Sequence, residues 1–194
     1  MKRLQIYARW ENGKFKVTWE KLDNAKQYDV YLTSCGKKMK EKNLVKKVKD
    51  KKTTVILNGK SGIDLSSKKN YKVKVNAYTK IDGKKTCIGK SKICHVAGPD
   101  NKKYTNLKEI TAEKKEITVL KGKKAQIHVK SKKDDNSKKY LSKRHGNELE
   151  YYTPNKTIAK VNVNGRIKAK KKGISYVYIT AFNGKYYKVK IVVK

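Results

Sequence analysis

Apolar and polar residues alternate along most of the chain with a period of two, the pattern of half-buried β-strands. Phe15, Val17 and Trp19 share one face of a predicted strand, with Lys14, Lys16 and Thr18 on the other. Tyr28, Val30 and Leu32 line the next face, with Tyr31 opposite. Thr53 to Leu57 is a β-branched run, and Tyr71, Val73, Val75 and Ala77 alternate with Lys72, Lys74 and Asn76. Asp82-Gly83 marks a hairpin turn, after which Ile88 to Val96 can return. Helical spacing is weak and confined to Leu44 through Val48.

The second half repeats the pattern. Ile117, Val119 and Leu120 lead into the turn Lys121-Gly122-Lys123-Lys124, and Ala125, Ile127 and Val129 then share a face. Residues 130–147 are polar, lack sustained apolar alternation, and read as a long loop. Strand signal resumes at Ile158, Val161 and Val163, turns at Asn164-Gly165, and continues through Ile167 and Ala169. Ser175, Val177, Ile179 and Ala181 form one face, Asn183-Gly184 turns the chain, and Tyr187, Val189, Ile191 and Val193 end it. Short strands between Gly, Asn and Asp turns predict an all-β protein.

A length of 194 residues fits one large domain or two of about 95. Gly98-Pro99-Asp100-Asn101-Lys102-Lys103 is a Pro/Gly/polar break near the midpoint. It divides the expectation into a domain over 1–98, a linker over 99–106 and a domain over 107–194. The hydrophobic share of 37% and charged share of 35% raise the question of disorder. The 13 Tyr, 2 Trp and regular alternation answer it in favour of a fold.

The net charge is +36, shared equally between the two halves, and Arg3, Arg9, Arg144 and Arg166 are its only arginines. Lysine is a flexible, hydrated point charge, whereas arginine supplies the bidentate fork that reads phosphates and base edges. The spread therefore implies diffuse, salt-sensitive attraction to polyanions and no sequence-specific nucleic-acid partner. A non-specific nucleic-acid binder remains an alternative that rests on charge alone. No stretch is long and apolar enough to insert in a membrane. Leu4 to Arg9 is no signal-peptide core, so signal and anchor are expected outside this segment.

Cys35, Cys87 and Cys94 cannot all pair within one chain. On one regular strand, Cys87 and Cys94 would stand roughly 23 Å apart. A disulfide needs Cα atoms within about 7 Å, so that pair is excluded on such a strand. Thiols filling small core gaps are expected.

The first half resembles a fibronectin type III domain over about residues 4–97. Trp19 within Val17-Thr18-Trp19, the strand Tyr28-Asp29-Val30-Tyr31, Leu65 six residues before Tyr71, and Tyr71 through Tyr78 carry the likeness. The resemblance implies a core Trp and a tyrosine corner whose hydroxyl ties to backbone. The second half resembles a group 2 bacterial Ig-like domain over about 107–194. Ile117 through Lys123, Asn155 through Val161, Gly165 through Gly173 and Val177-Tyr178-Ile179-Thr180 carry it, with Tyr151 where that family usually has Trp. Together they imply two tandem immunoglobulin-like β-sandwiches in an extracellular or cell wall-associated protein of a Gram-positive bacterium. Such modules serve as adhesins, spacers or accessory units of secreted enzymes.

Catalytic signals are absent from the sequence. His95, His128 and His145 are scattered, and no nucleophile elbow, phosphate loop or two-His metal motif occurs. Asp134-Asp135-Asn136 reads as a solvated acidic tip. No cofactor is expected. Binding leaves better clues: Tyr176 and Tyr178 alternate against core-facing Val177 and Ile179, and Tyr186, Lys185, Lys188 and Lys190 lie off the core face next to them. Such rings and ammoniums suit a sugar with an acidic group or a protein contact. Lys170, Lys171 and Lys172 read first as a turn typical of the group 2 Ig-like family and second as an anion patch. Expected partners are a host protein or an anionic polymer such as an acidic glycan or teichoic acid; the oligomeric state stays open. Lys80 through Thr86 reads as a structural hairpin.

Overall fold

The computed structural model describes residues 2–58, 65–141 and 148–194. Apart from one 3-10 turn, Glu41–Asn43, the elements among these residues are strands. The chain divides into two compact units. The first comprises Met1–Asn106, Ser137–His145 and Phe182–Gly184, and the second Leu107–Asn136, Gly146–Ala181 and Lys185–Lys194.

In the first unit, β1 (Lys2–Leu4), β4 (Gln27–Ser34), β5 (Leu44–Lys49), β7 (Asn70–Ile81), β8 (Lys84–Ser91) and β9 (Cys94–Ala97) form one sheet. Its order is β1-β8-β7-β4-β5, with β9 also beside β7. β2 (Ile6–Glu11), β3 (Lys14–Trp19) and β6 (Thr54–Leu57) form a three-stranded sheet in the order β2-β3-β6. The inward residues of both sheets meet in a single core. Phe15, Val17 and Trp19 join Tyr28, Val30, Leu32, Tyr71, Val73, Val75 and Ala77 there, as the alternation requires. Full burial of each large apolar side chain stabilises the unit by roughly 1.5–3 kcal/mol before entropy is charged against it.

Aromatic rings organise that core. The Trp19 ring lies 5.2 Å from Tyr28, whose hydroxyl accepts the Leu22 amide at 2.9 Å. Phe15 meets Trp10 edge-on at 5.5 Å and Tyr71 at 5.9 Å. Tyr71 is fully buried, and its hydroxyl accepts the Ser66 amide at 2.7 Å. This is the backbone tie that the tyrosine-corner resemblance implies.

Three details depart from the periodicity. The stretch from Leu44 to Val48 is β5, because pairing with β4 sets Val48 opposite Tyr28 and buries it. Ile88 to Val96 is broken at residues 92–93, so Cys87 and Cys94 sit on separate strands, β8 and β9, both paired with β7. They lie along the same edge of β7, Cys87 opposite Tyr78 and Cys94 opposite Val73, roughly 16 Å apart, so this pair stays out of disulfide reach despite the interruption, and all three cysteines stand as thiols. Tyr31, on the outer side of β4, is nevertheless buried. The Lys74 ammonium covers its ring at 4.3 Å and its hydroxyl donates to Glu41 Oε2 at 3.0 Å. Burial first, then hydrogen bonds with Tyr78 and Glu41, pushes the Tyr31 hydroxyl well above its ordinary pKa.

In the second unit, β12 (Glu116–Val119), β16 (Leu149–Tyr152), β19 (Gly173–Ala181) and β20 (Tyr186–Val193) form a four-stranded sheet in the order β12-β20-β19-β16. β13 (Lys124–Gln126), β17 (Ala159–Val161) and β18 (Arg166–Ala169) form a three-stranded sheet in the order β13-β18-β17. Val177, Ile179, Val189 and Ile191 are buried from the first sheet, and Ala159, Ile167 and Ala169 from the second. Tyr151 lies over Gly165, where a Cβ would come within 2.7 Å of the ring and φ is +77°, so glycine is required on two counts. Burial raises the Tyr151 pKa.

Two further pairs complete the inventory. β11 (Leu107–Ala112) pairs antiparallel with β14 (Val129–Lys133), and β10 (Tyr104–Thr105) pairs parallel with β15 (Lys139–Tyr140). Part of the loop expected over 130–147 is therefore strand. Edge pairing uses backbone groups and needs no apolar run, so Lys130 to Lys133 gave no sequence signal. Residues 142–147, including His145 and Arg144, lie outside the described residues. Residues 99–106 are held to the first unit: Ser67 Oγ donates to Asp100 at 2.5 Å, Asn101 Nδ2 donates to the Lys68 carbonyl at 2.9 Å, and Asn106 bonds Ala97 through both side-chain atoms.

Replacing Tyr71 with Phe removes the Ser66 tie and keeps the ring. The first unit is expected to lose about 1–2 kcal/mol. Urea unfolding followed by Trp fluorescence reads that unit selectively, because both tryptophans, Trp10 and Trp19, belong to it.

Candidate functional site

The outer face of the four-stranded sheet follows from its register. Inward Val177 and Ile179 turn Tyr176 and Tyr178 outward, and inward Val189 and Ile191 turn Lys188 and Lys190 outward beside them. Tyr178 stands opposite Lys188 on β20 and opposite Tyr152 on β16, and Tyr176 stands opposite Lys190.

The result is an aromatic ladder across three strands. Tyr152 and Tyr178 have ring centroids 6.3 Å apart, and Tyr178 and Tyr186 have theirs 5.8 Å apart, all tilted near 45°. The Lys188 ammonium sits 4.0 Å from the Tyr176 centroid and 5.6 Å from that of Tyr178. A cation over two ring faces is attracted by their quadrupoles and still presents donors to an incoming anion. Lys190 is engaged differently: its ammonium bonds Glu116 at 2.9 Å, which raises its pKa.

Of the residues singled out from sequence, Tyr176, Tyr178, Tyr186 and Lys188 come together. Lys185 lies in the turn just before β20, its carbonyl accepting the Ala181 amide at 2.8 Å. Lys170, Lys171 and Lys172 do not join this face. They occupy the passage from β18 to β19, where the Lys170 amide is bonded to the Ile158 carbonyl at 2.8 Å. Lys172 precedes Tyr176 by four residues, about 13 Å of extended chain. Tyr152 was not anticipated, although its alternation with inward-facing Tyr151 carried the signal.

A second basic feature belongs to the first unit. Lys46, Lys47, Lys49, Lys51 and Lys52, with Asp50, line a groove of about 830 Å³ together with Val48, Val55 and Ile56, along the edge strands β5 and β6. Lysines on sheet edges discourage edge-to-edge pairing, which accounts for them without a ligand.

Among the described residues, one contact joins a thiol to an imidazole. The structure brings Cys35 Sγ to 3.3 Å from His95 Nδ1, a pairing the sequence separation hides. Burial raises the Cys35 pKa to about 11, against a smaller opposing effect of Lys72. An activated nucleophile is shifted the other way. Among the described residues, no group of three His, Cys, Asp or Glu could hold a metal ion, and no helix is long and apolar enough to cross a membrane.

No protein-family model and no curated protein matches the chain. Solved structures that resemble it include domains 4 and 5 of the S-layer protein SbsC, 19% identical over 64% of each chain, with a TM-score of 0.35. A C-terminal fragment of intimin, solved with the intimin-binding domain of its translocated receptor, is 14% identical over 92% of this chain and 56% of its own, with a TM-score of 0.34. The fibronectin(III)-like modules of Clostridium thermocellum CbhA are 13% identical over 98% of this chain and 94% of theirs, with a TM-score of 0.30. The chain spans 27% of a longer SbsC fragment.

Alkylation of Cys35 in the native protein, followed at peptide level by mass spectrometry, is expected to titrate near pH 11. Because the folded thiol binds its proton more tightly than the unfolded one, its contribution to stability is complete below about pH 9 and lost as pH rises through about 11. Titration below pH 9 contradicts the buried, unactivated thiol.

Proposed function

We propose that this chain is a non-catalytic adhesive or spacer segment of a bacterial cell-surface or secreted protein, built from a fibronectin type III-like and a group 2 Ig-like module meeting near residues 99–106. Its contact surface is the face formed by Tyr152, Tyr176, Tyr178, Tyr186 and Lys188, and its partner is a host protein or an acidic glycan. The observation that supports this reading is the ladder itself: three rings in series, with an ammonium poised over Tyr176 and Tyr178. Aromatic side chains give large contact area at little entropic cost, and a sugar's C–H face or a protein's apolar anchor is what such rings accept. Lys188 adds a site for the partner's acid.

A glycan and host-protein array at physiological salt tests the proposal. Tyr178→Ala is expected to weaken retention of the bound partner about tenfold. Partners bound equally by wild type, Tyr178→Ala and Tyr152→Ala would assign the ladder to sheet packing alone.

A further inference from the structure

The outer face of the three-stranded sheet holds a feature that the chain order conceals. β13, β18 and β17 pair so that Ala125, Ile167 and Val161 stand in one cross-strand row. The adjacent row is Lys124, Lys168 and Lys160, three exposed lysines directly opposite one another. Strand spacing sets neighbouring lysines about 4.8 Å apart at the backbone and the outer two about 10 Å apart. Arg166, paired with Gln126, extends the positive charge one row further, and Lys170 follows Lys168 two residues on.

Nothing in this sheet offsets that charge. Residues 117–133 and 151–194, which contain all three strands, include no Asp or Glu. Like charges directly opposite on neighbouring strands destabilise a sheet. Three in a row is an arrangement that stability alone does not favour, and an anion laid along the row relieves it.

We propose that this row is a docking strip for a linear acidic polysaccharide bearing a carboxylate on each sugar. Charge complementarity selects an anion, and the three-point row selects a polymer over a single ion. Strand spacing puts the outer two lysines about two pyranose units apart, so carboxylates on one side of an extended chain, whose successive sugars face alternately, meet Lys124 and Lys160 with Lys168 between them. Lysine, a hydrated point charge without a fork, pairs with carboxylate and phosphate alike, so the repeat of the row and not the head group selects the polymer. The strip lies on a different sheet from the tyrosine ladder and does not rest on it.

The test uses the full chain with polygalacturonate as probe, and poly(glycerol phosphate) and single-stranded DNA as the other arms. Lys168→Gln, Lys124→Gln and Lys160→Gln are each expected to weaken polygalacturonate binding about fivefold. Lys21→Gln, which removes the same charge from the first unit, is expected to change it little. Lys168→Gln is also expected to raise the urea midpoint of the second unit at low salt, read by far-UV circular dichroism. Equal losses for Lys168→Gln and Lys21→Gln would reduce the strip to diffuse charge and overturn the proposal. So would row-dependent binding that is tighter for DNA or poly(glycerol phosphate) than for polygalacturonate. Tyr178→Ala leaves polygalacturonate binding at the strip intact, so the two surfaces fail or stand separately.

Discussion

The pleat of the β-strand is the constraint from which the rest of this structure follows. Each inward apolar residue turns its neighbours outward, and in this chain those neighbours are mostly lysine. Because strands pair in register, aligning the apolar residues also aligns the lysines. Ala125, Ile167 and Val161 cannot form a row without placing Lys124, Lys168 and Lys160 in another. The same logic turns Tyr176 and Tyr178 out beside Lys188 and Lys190 when Val177 and Ile179 turn in. Core and candidate binding surfaces are two faces of one pattern.

Much of the fold was legible for that reason. Trp19, Tyr28 and Tyr71 lie in the core where alternation placed them, and Asp82-Gly83 makes its hairpin with both residues at positive φ. Legibility failed where structure depends on backbone pairing or distant partners. Lys130 to Lys133 form a strand by bonding β11, and no side-chain pattern announces such an edge. Tyr31 is buried by Lys74 and Glu41, neither of which its own alternation specifies. The break at Lys92-Ile93 gave no signal, because a lysine followed by an exposed isoleucine is as ordinary inside a strand as at an interruption of one. Of the candidate surface, the tyrosines on β19 and β20 could be read, since local alternation decides which way they point. The lysine row could not, because it exists only once three strands separated in sequence are registered against one another. The visible run Lys170-Lys171-Lys172 drew attention along the chain, whereas the geometric charge lies across it.

Electrostatics and packing oppose each other throughout. With 52 Lys and Arg against 16 Asp and Glu, same-sign repulsion acts over the whole surface, and the described ion pairs are few and mostly exposed. Exposed pairs of this kind contribute about 0–1 kcal/mol each. Burial of Phe15, Leu32, Tyr71, Ile167, Ile179 and Ile191 outweighs the repulsion. A surface held under such repulsion is stabilised by any polyanion that screens it.

The most direct measurement is the urea midpoint of the whole chain by circular dichroism as sodium chloride is raised from low to physiological concentration. Screening of a uniformly lysine-rich surface predicts a rising midpoint. A midpoint that stays flat or falls would mean that attractive pairs dominate, and that the aligned lysines carry no electrostatic tension for a polyanion to relieve.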